Sequence, residues 1–295
     1  MYTDEIIDGH MHLWDLDHGE YPWLTDKKGK FEEVIGKVKK IRKNFLITDY
    51  ESLVKPYNVT KGVHVEANAA LKKALHETQW LQKIAESHGT PNAIVFQADL
   101  RDPDIENVLK DHCQSPNVRG VRQILFREEG STDPDLMSDP HFQKGLKSLS
   151  KQILTFDLCL FGHQIPDAAR LVKETPDAAF VLDHLGWPRD ITDKGFETWT
   201  RDIKLLADSP NVHLKLSGIG LVFKSHDQEN IERFLRAGIE AFGEDRCFFG
   251  SNIPPDSLFL PYGKLIEIFR MAFSRYAPET QRKLFYENAK AFYDI

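Results

Sequence analysis

Cysteine is scarce. Cys113, Cys159 and Cys247 are odd in number, widely spaced and free of any C-x-x-C pattern, which excludes a disulfide framework and predicts reduced, buried thiols. Long apolar runs are missing too: none approaches the roughly 18 residues a membrane span needs. The opening Met-Tyr-Thr-Asp-Glu has neither a basic patch nor an apolar stretch, so no secretory leader is expected and a cytoplasmic location is the default. Positive charge is not in excess. With 38 Lys and Arg against 45 Asp and Glu, the net charge of −7 argues against nucleic acid or acidic membrane as a partner and leaves small molecules. No Gly-x-Gly-x-x-Gly follows the first apolar run, which disfavours a dinucleotide fold. Linker-like and low-complexity segments are also lacking, so residues 1–295 are expected to form one domain.

What is present is an alternation. Short β-branched or aromatic runs occur at Ile6–Gly9, Gly62–Val65, Ala93–Gln97, Val118–Arg122, Thr155–Leu160, Ala179–Asp183, Val212–Leu216 and Arg246–Phe249. Between them lie amphipathic stretches such as Ala70–Ser87, Asp104–Cys113, His141–Lys151, Ile165–Glu174, Phe196–Asp208 and Gln228–Phe242, with closing helices over Tyr262–Phe273 and Pro278–Tyr293. Apolar strands alternating with helices specify a parallel sheet covered by helices. Eight such units in 295 residues predict a closed (β/α)8 TIM barrel rather than an open sheet. The first crossover, Trp14 to Asn58, is unusually long. It carries an aromatic Tyr21-Pro22-Trp23-Leu24 patch and a basic run from Lys37 to Lys43. The basic run is expected to solvate a loop or short helix, while the long loop as a whole can fold over the barrel mouth.

In such a barrel the active site lies at the C-terminal ends of the strands. The first strand runs into His10 and His12, which alternate onto one face, with Trp14 beyond. The second places His64, Glu66 and Asn68 together. The fourth delivers Arg122, the fifth reaches His163, the sixth His184, and the seventh Lys215 and Ser217. The eighth leads into Asn252 and Asp256. Four histidines at three strand ends are the candidate acid/base and ligand set. His18, His76, His88, His112, His141 and His226 fall in helical or loop patterns and are expected on the surface or as caps. His64 and His213 read as structural. Arg122 and Lys215 each have two readings, a substrate carboxylate partner or an internal salt bridge.

The ordered set Asp8-x-His10-x-His12-x-Trp14, Tyr21-Pro22-Trp23-Leu24, Arg119-Gly120-Val121-Arg122, His163-Gln164, Asp183-His184-Leu185-Gly186, Lys215-Leu216-Ser217-Gly218 and Phe249-Gly250-Ser251-Asn252-x-Pro254 resembles the amidohydrolase-2 branch of the amidohydrolase superfamily. Within it, the sequence is similar to the sugar-lactonase and dicarboxylate-lactone hydrolase group. The resemblance spans nearly the whole chain. It implies a barrel whose site uses the two histidines of the first strand, a later histidine and a carboxylate after the eighth. One departure stands out: where the family commonly has Asp, this chain has Asn252, which can be neither a base near neutral pH nor a charged metal ligand. Asp256 either turns into the site or caps a helix.

The resulting expectation is a lactone hydrolase. His10, His12, His163, His184 and Asn252 are its catalytic candidates, and Trp14, Glu66, Arg122, Lys215 and Asp256 its substrate-binding candidates. His10, His12 and His184 are the ligands if a metal is bound. Either no cofactor is required, or one divalent ion (Zn or Mn) is weakly held. Competing expectations are a metal-dependent decarboxylase of a small carboxylic acid, and a metabolite-binding member attenuated by Asn252.

Overall fold

The computed structural model describes residues 2–26, 31–225 and 227–295. Eight strands form one sheet in chain order, every adjacent pair parallel: β1 (Ile6–Met11), β2 (Val59–Val65), β3 (Ala93–Gln97), β4 (Val118–Arg122), β5 (Thr155–Leu158), β6 (Ala179–Leu182), β7 (Val212–Leu216) and β8 (Cys247–Phe249). The ring returns to its start through the segment after β8. Asn252 N–H donates to the His10 carbonyl at 2.7 Å, and His12 N–H donates to the Ile253 carbonyl at 2.9 Å. Asp8 locks the seam, accepting from Ser251 N–H at 2.7 Å and from Ser251 Oγ at 2.6 Å. The expected TIM barrel is the observed fold.

Amphipathic helices cover the sheet because their apolar stripes match its outer face. The pattern is clear in Gln228–Phe242, which buries Ile231, Phe234, Leu235, Gly238, Ile239 and Phe242 while Asp227 caps its start through Asn230 N–H. A second apolar cluster, with Ile7, Val63, Val65, Val95, Val181 and Phe248, packs against Tyr286, Ala289 and Tyr293 of the C-terminal segment. It fills the barrel below a polar layer, which Tyr293 touches: its hydroxyl lies 3.4 Å from Asp157. The barrel is therefore a packed core with a chemically active upper end.

The long first connection is built of short helices, Pro22–Thr25, Phe31–Ile35 and Ile47–Val54 with single turns between them; residues 27–30 lie outside the described residues, as does His226. The basic run forms one tight turn, Val38–Lys40, whose lysines are exposed. One surface expectation fails. His112 is 2% exposed, stacked on Phe96 at 3.8 Å and bonded through Nδ1 to Thr78 Oγ1 at 2.8 Å. A helix packed on a sheet buries its inner face whatever residue stands there. His18, His76, His88 and His141 are exposed as expected. No helix among the described residues is long and apolar enough to cross a membrane.

Candidate active site

A cleft opens at the C-terminal ends of the strands, with His12, Glu66, Arg122, His184 and Asn252 on its polar side and Trp23, Phe126 and Trp187 among its aromatic walls. Positive backbone φ concentrates there. Asn68 (53°), His184 (53°), Trp187 (39°) and Asn252 (53°) all line the cleft in the left-handed region, which non-glycine residues adopt at a cost and chiefly at functional sites. His184, Leu185, Gly186 and Trp187 are left-handed in succession, a tight reversal that aims His184 inward as β6 ends.

His184 is 3% exposed. Its Nδ1 lies 2.9 Å from Ser217 Oγ, which also accepts the His184 backbone N–H at 3.3 Å, leaving Nε2 for the cleft. Burial drops the imidazole pKa to about 3, so the ring is neutral at ordinary pH. The ring requires Gly218 beneath it: a Cβ there would sit 2.6 Å from His184 Cγ, at φ +69°.

Beneath the cleft runs a chain of buried charges. Arg122 gives Nε–H to Glu66 Oε1 at 2.7 Å and an Nη2 hydrogen to the Glu66 carbonyl at 2.7 Å. Its Nη1 lies 3.4 Å from both Asp183 Oδ2 and His10 Nε2. Lys215, 0% exposed, bonds Asp157 Oδ2 at 2.6 Å and sits 3.1 Å from Asp183 Oδ1 and 3.2 Å from His10 Nδ1. Burial disfavours the charge on Asp183, but Lys215 and then His10 outweigh it and hold the carboxyl well below its usual range. Burial pushes Asp157 up to about 7, with Lys215 only partly opposing. Burial and then Lys215 hold His10 neutral; burial and then Arg122 do the same for His12.

Several expected site residues stand elsewhere. His163 is exposed in the turn Gly162–Gln164 and outside the cleft; Gln164 turns inward instead, donating to the Leu125 carbonyl at 2.8 Å. Trp14 is buried behind the wall, edge-on to Trp23 at 5.7 Å and bonded to the Lys43 carbonyl at 2.7 Å. Lys215 lies beneath the cleft within the ion-pair chain. Asp256 holds the helix that precedes it in sequence: Oδ2 accepts from Gly220 N–H at 2.7 Å, in Ile219–Phe223, and Oδ1 accepts from Asn252 Nδ2 at 2.8 Å. Burial pushes this carboxyl up to about 7. Arg122 and Glu66 line the cleft paired with each other. His10 is near its floor, His12 and Asn252 at its rim, where His12 Nδ1 donates to the Val65 carbonyl at 2.7 Å and Nε2 lies 3.1 Å from Asn252 Oδ1. His64 is a core histidine, its Nε2 3.2 Å from the Leu13 carbonyl.

Asp183, Asp157, Ser217, Trp23, Trp187 and Cys159 are site or supporting residues outside the catalytic and substrate-binding candidates, although Ser217 stands at a predicted strand end and Trp23 and Asp183 fall in the quoted motifs. Asp157 was visible as a lone charge inside an apolar strand, and Asp183 as the residue leading into His184.

The donor set fits a divalent ion poorly. A neutral imidazole has one lone pair, and His10 faces a cation on both sides, Lys215 at Nδ1 and Arg122 at Nε2. Both Asp183 oxygens are ion-paired. His12 Nε2 is turned to an amide oxygen, and no carboxylate stands at 252.

A TIM barrel whose upper mouth gathers histidines, a buried Arg–Glu pair and a strained strand-to-loop reversal is built as barrel enzymes are, with its polar groups at the C-terminal strand ends. The amidohydrolase family model matches residues 7–295, and the chain belongs to that family. It is 36% identical to the uncharacterized protein y4mH of Sinorhizobium fredii over 98% of each chain. It is 26% identical to an L-fucono-1,5-lactonase of Burkholderia ambifaria, over 98% of this chain and 95% of that one. The fold matches the crystal structure of a Burkholderia multivorans amidohydrolase with bound zinc at a TM-score of 0.84, with 24% identity over 98% of this chain and 99% of that one.

Proposed function

We propose that this enzyme opens a neutral sugar lactone by adding water to the ester carbonyl. The observation that carries this reading is the charge balance of the cleft. Its lining cation, Arg122, is bound at Nε and Nη2 by Glu66, and the rest of the described lining is aromatic, aliphatic or neutral polar apart from Glu66. A substrate carboxylate would stand beside Glu66, whose charge already balances the guanidinium, so it would meet a like charge and little net attraction. A polyhydroxylated ring with an uncharged lactone meets no such repulsion. It can lay an apolar face on Trp23 or Trp187. The lactonase relative supports the same class.

In this mechanism His184 is the general base. Ser217 fixes the ring, Nε2 takes a proton from water, and the adjacent Asp183 carboxylate favours the imidazolium that forms. Water oxygen bonds to the carbonyl carbon; the ring C–O bond then breaks, and the departing alkoxide takes the proton back from His184. Arg122 has Nη hydrogens beyond those given to Glu66, and they face the developing oxyanion; losing one such donor typically costs about 10² to 10³ in rate. His12 and Asn252 orient the substrate at the rim.

The test is proton release, followed with a pH indicator, on adding neutral aldonolactones, carboxylated lactones and small aromatic acids. Turnover of neutral lactones above the carboxylated ones supports the reading. A preference for carboxylated lactones, or CO2 release from an acid, refutes it.

A further inference from the structure

We infer that Arg122 closes a latent divalent-cation site formed by His10, Asp183 and His184. One ligand atom from each of these three buried residues falls within 4.8 Å of the others. Three protein ligands and a water are what an open zinc-type centre uses. The trio takes His10 from the strand-one histidine pair but includes neither His12 nor Asn252. It is the only such group among the described residues.

What bars an ion is a guanidinium. Arg122 Nη1 stands 3.4 Å from His10 Nε2 and 3.4 Å from Asp183 Oδ2, in the space two of the three ligands would share with a metal. A histidine or thiol in that place could lose a proton to make room; arginine cannot. Nor can it swing away readily, because Glu66 grips Nε and Nη2 at 2.7 Å each and the residue is 5% exposed. Lys215 guards the other side, 3.1 Å from Asp183 Oδ1 and 3.2 Å from His10 Nδ1. With Arg122 gone, His10 can give Nδ1–H to Asp183 Oδ1, 3.4 Å away, and turn the Nε2 lone pair to an ion. Asp183 Oδ2 and His184 Nε2 complete the set. Glu66 then brings uncompensated negative charge close by, which favours the ion further.

The experiment titrates Co2+ into the wild-type chain and into Arg122→Met, following the visible absorption of four-coordinate cobalt, with equilibrium dialysis for stoichiometry. The expected result is one cobalt per Arg122→Met chain, bound at least roughly 100-fold more tightly than by the wild type, the scale on which removal of a like charge at contact distance acts. Adding Asp183→Ala to Arg122→Met should abolish the absorption. Arg122→Gln, which keeps an amide for Glu66, serves if the methionine variant does not fold. Stoichiometric binding by the wild type that is lost in His10→Ala would overturn the inference. So would folded Arg122 variants that bind no cobalt, or cobalt binding untouched by Asp183→Ala. None of these readouts depends on lactone turnover.

Discussion

Replacing Lys215 by Met removes one charge from the barrel interior with little change of volume, so it isolates electrostatics from packing. The ammonium is 0% exposed and bonds Asp157 at 2.6 Å and Asp183 at 3.1 Å. Without it, two buried carboxylates are left with Arg122, 3.4 Å from Asp183, as the nearby cation. Deleting one partner of a buried ion pair typically costs about 3–5 kcal/mol. The variant has one escape, protonation of Asp157, whose pKa burial already raises to about 7 and which must climb further once Lys215 is gone. A carboxyl whose folded pKa exceeds its unfolded value contributes stability at low pH that is lost as pH rises toward the folded value. The wild type completes that loss near 7, while the variant goes on losing stability above it. Its deficit should therefore grow by about 1.4 kcal/mol per pH unit there, adding roughly 2 kcal/mol between about pH 7 and about pH 8.5. Urea unfolding of both proteins at several pH values measures this. A deficit below about 1 kcal/mol, or one independent of pH, would refute the charge assignment.

Other outcomes follow from the same geometry. Gly218→Ala places a methyl 2.6 Å from His184 Cγ at φ +69°. It should lower stability by about 1–2 kcal/mol for the left-handed backbone and kcat on lactones by about 100-fold for the displaced ring, as thermal unfolding and steady-state rates would show. Asn252→Asp brings a carboxylate against Asp256, to which the native amide donates at 2.8 Å. The two acids must share a proton, so titration should find one group of this dyad above about 7, and stability should fall as pH rises toward that value. Because burial keeps His184 neutral down to about 3, it would remain able to act as the proposed base in mild acid. Lactonase kcat/KM should then stay level from about pH 8 to about pH 5, where an unshifted imidazole would lose activity below about 6.5.

Much of the scaffold was legible because its signals are local. Ala93–Gln97, Val118–Arg122 and Val212–Leu216 coincide with the strands expected from their β-branched runs, and Gln228–Phe242 and Tyr262–Phe273 follow from helical spacing alone. The first connection resisted because its short helices are held by distant partners: Trp23 Nε1 donates to the Ala67 carbonyl at 2.7 Å, a contact no period in residues 14–58 encodes.

At the site, side chains leave the strands' alternation because the strands end before the functional residues. β5 stops at Leu158, and the turn that follows swings His163 to the surface while Gln164 goes in. β6 stops at Leu182, and His184 faces the cleft because three left-handed residues and Gly186 reverse the backbone there. Asn252 is delivered the same way, at φ 53°. Side-chain direction at a barrel mouth is thus set by loop backbone that alternation rules do not govern. Charge balance is equally non-local. Arg122 reads as a substrate anchor until β2 brings Glu66 to 2.7 Å, and Lys215 does so until β5 brings Asp157 to 2.6 Å. Once those pairs form, both cations are already balanced by buried carboxylates, and under the proposed function it is the neutral aromatic surface of the cleft that would select what enters.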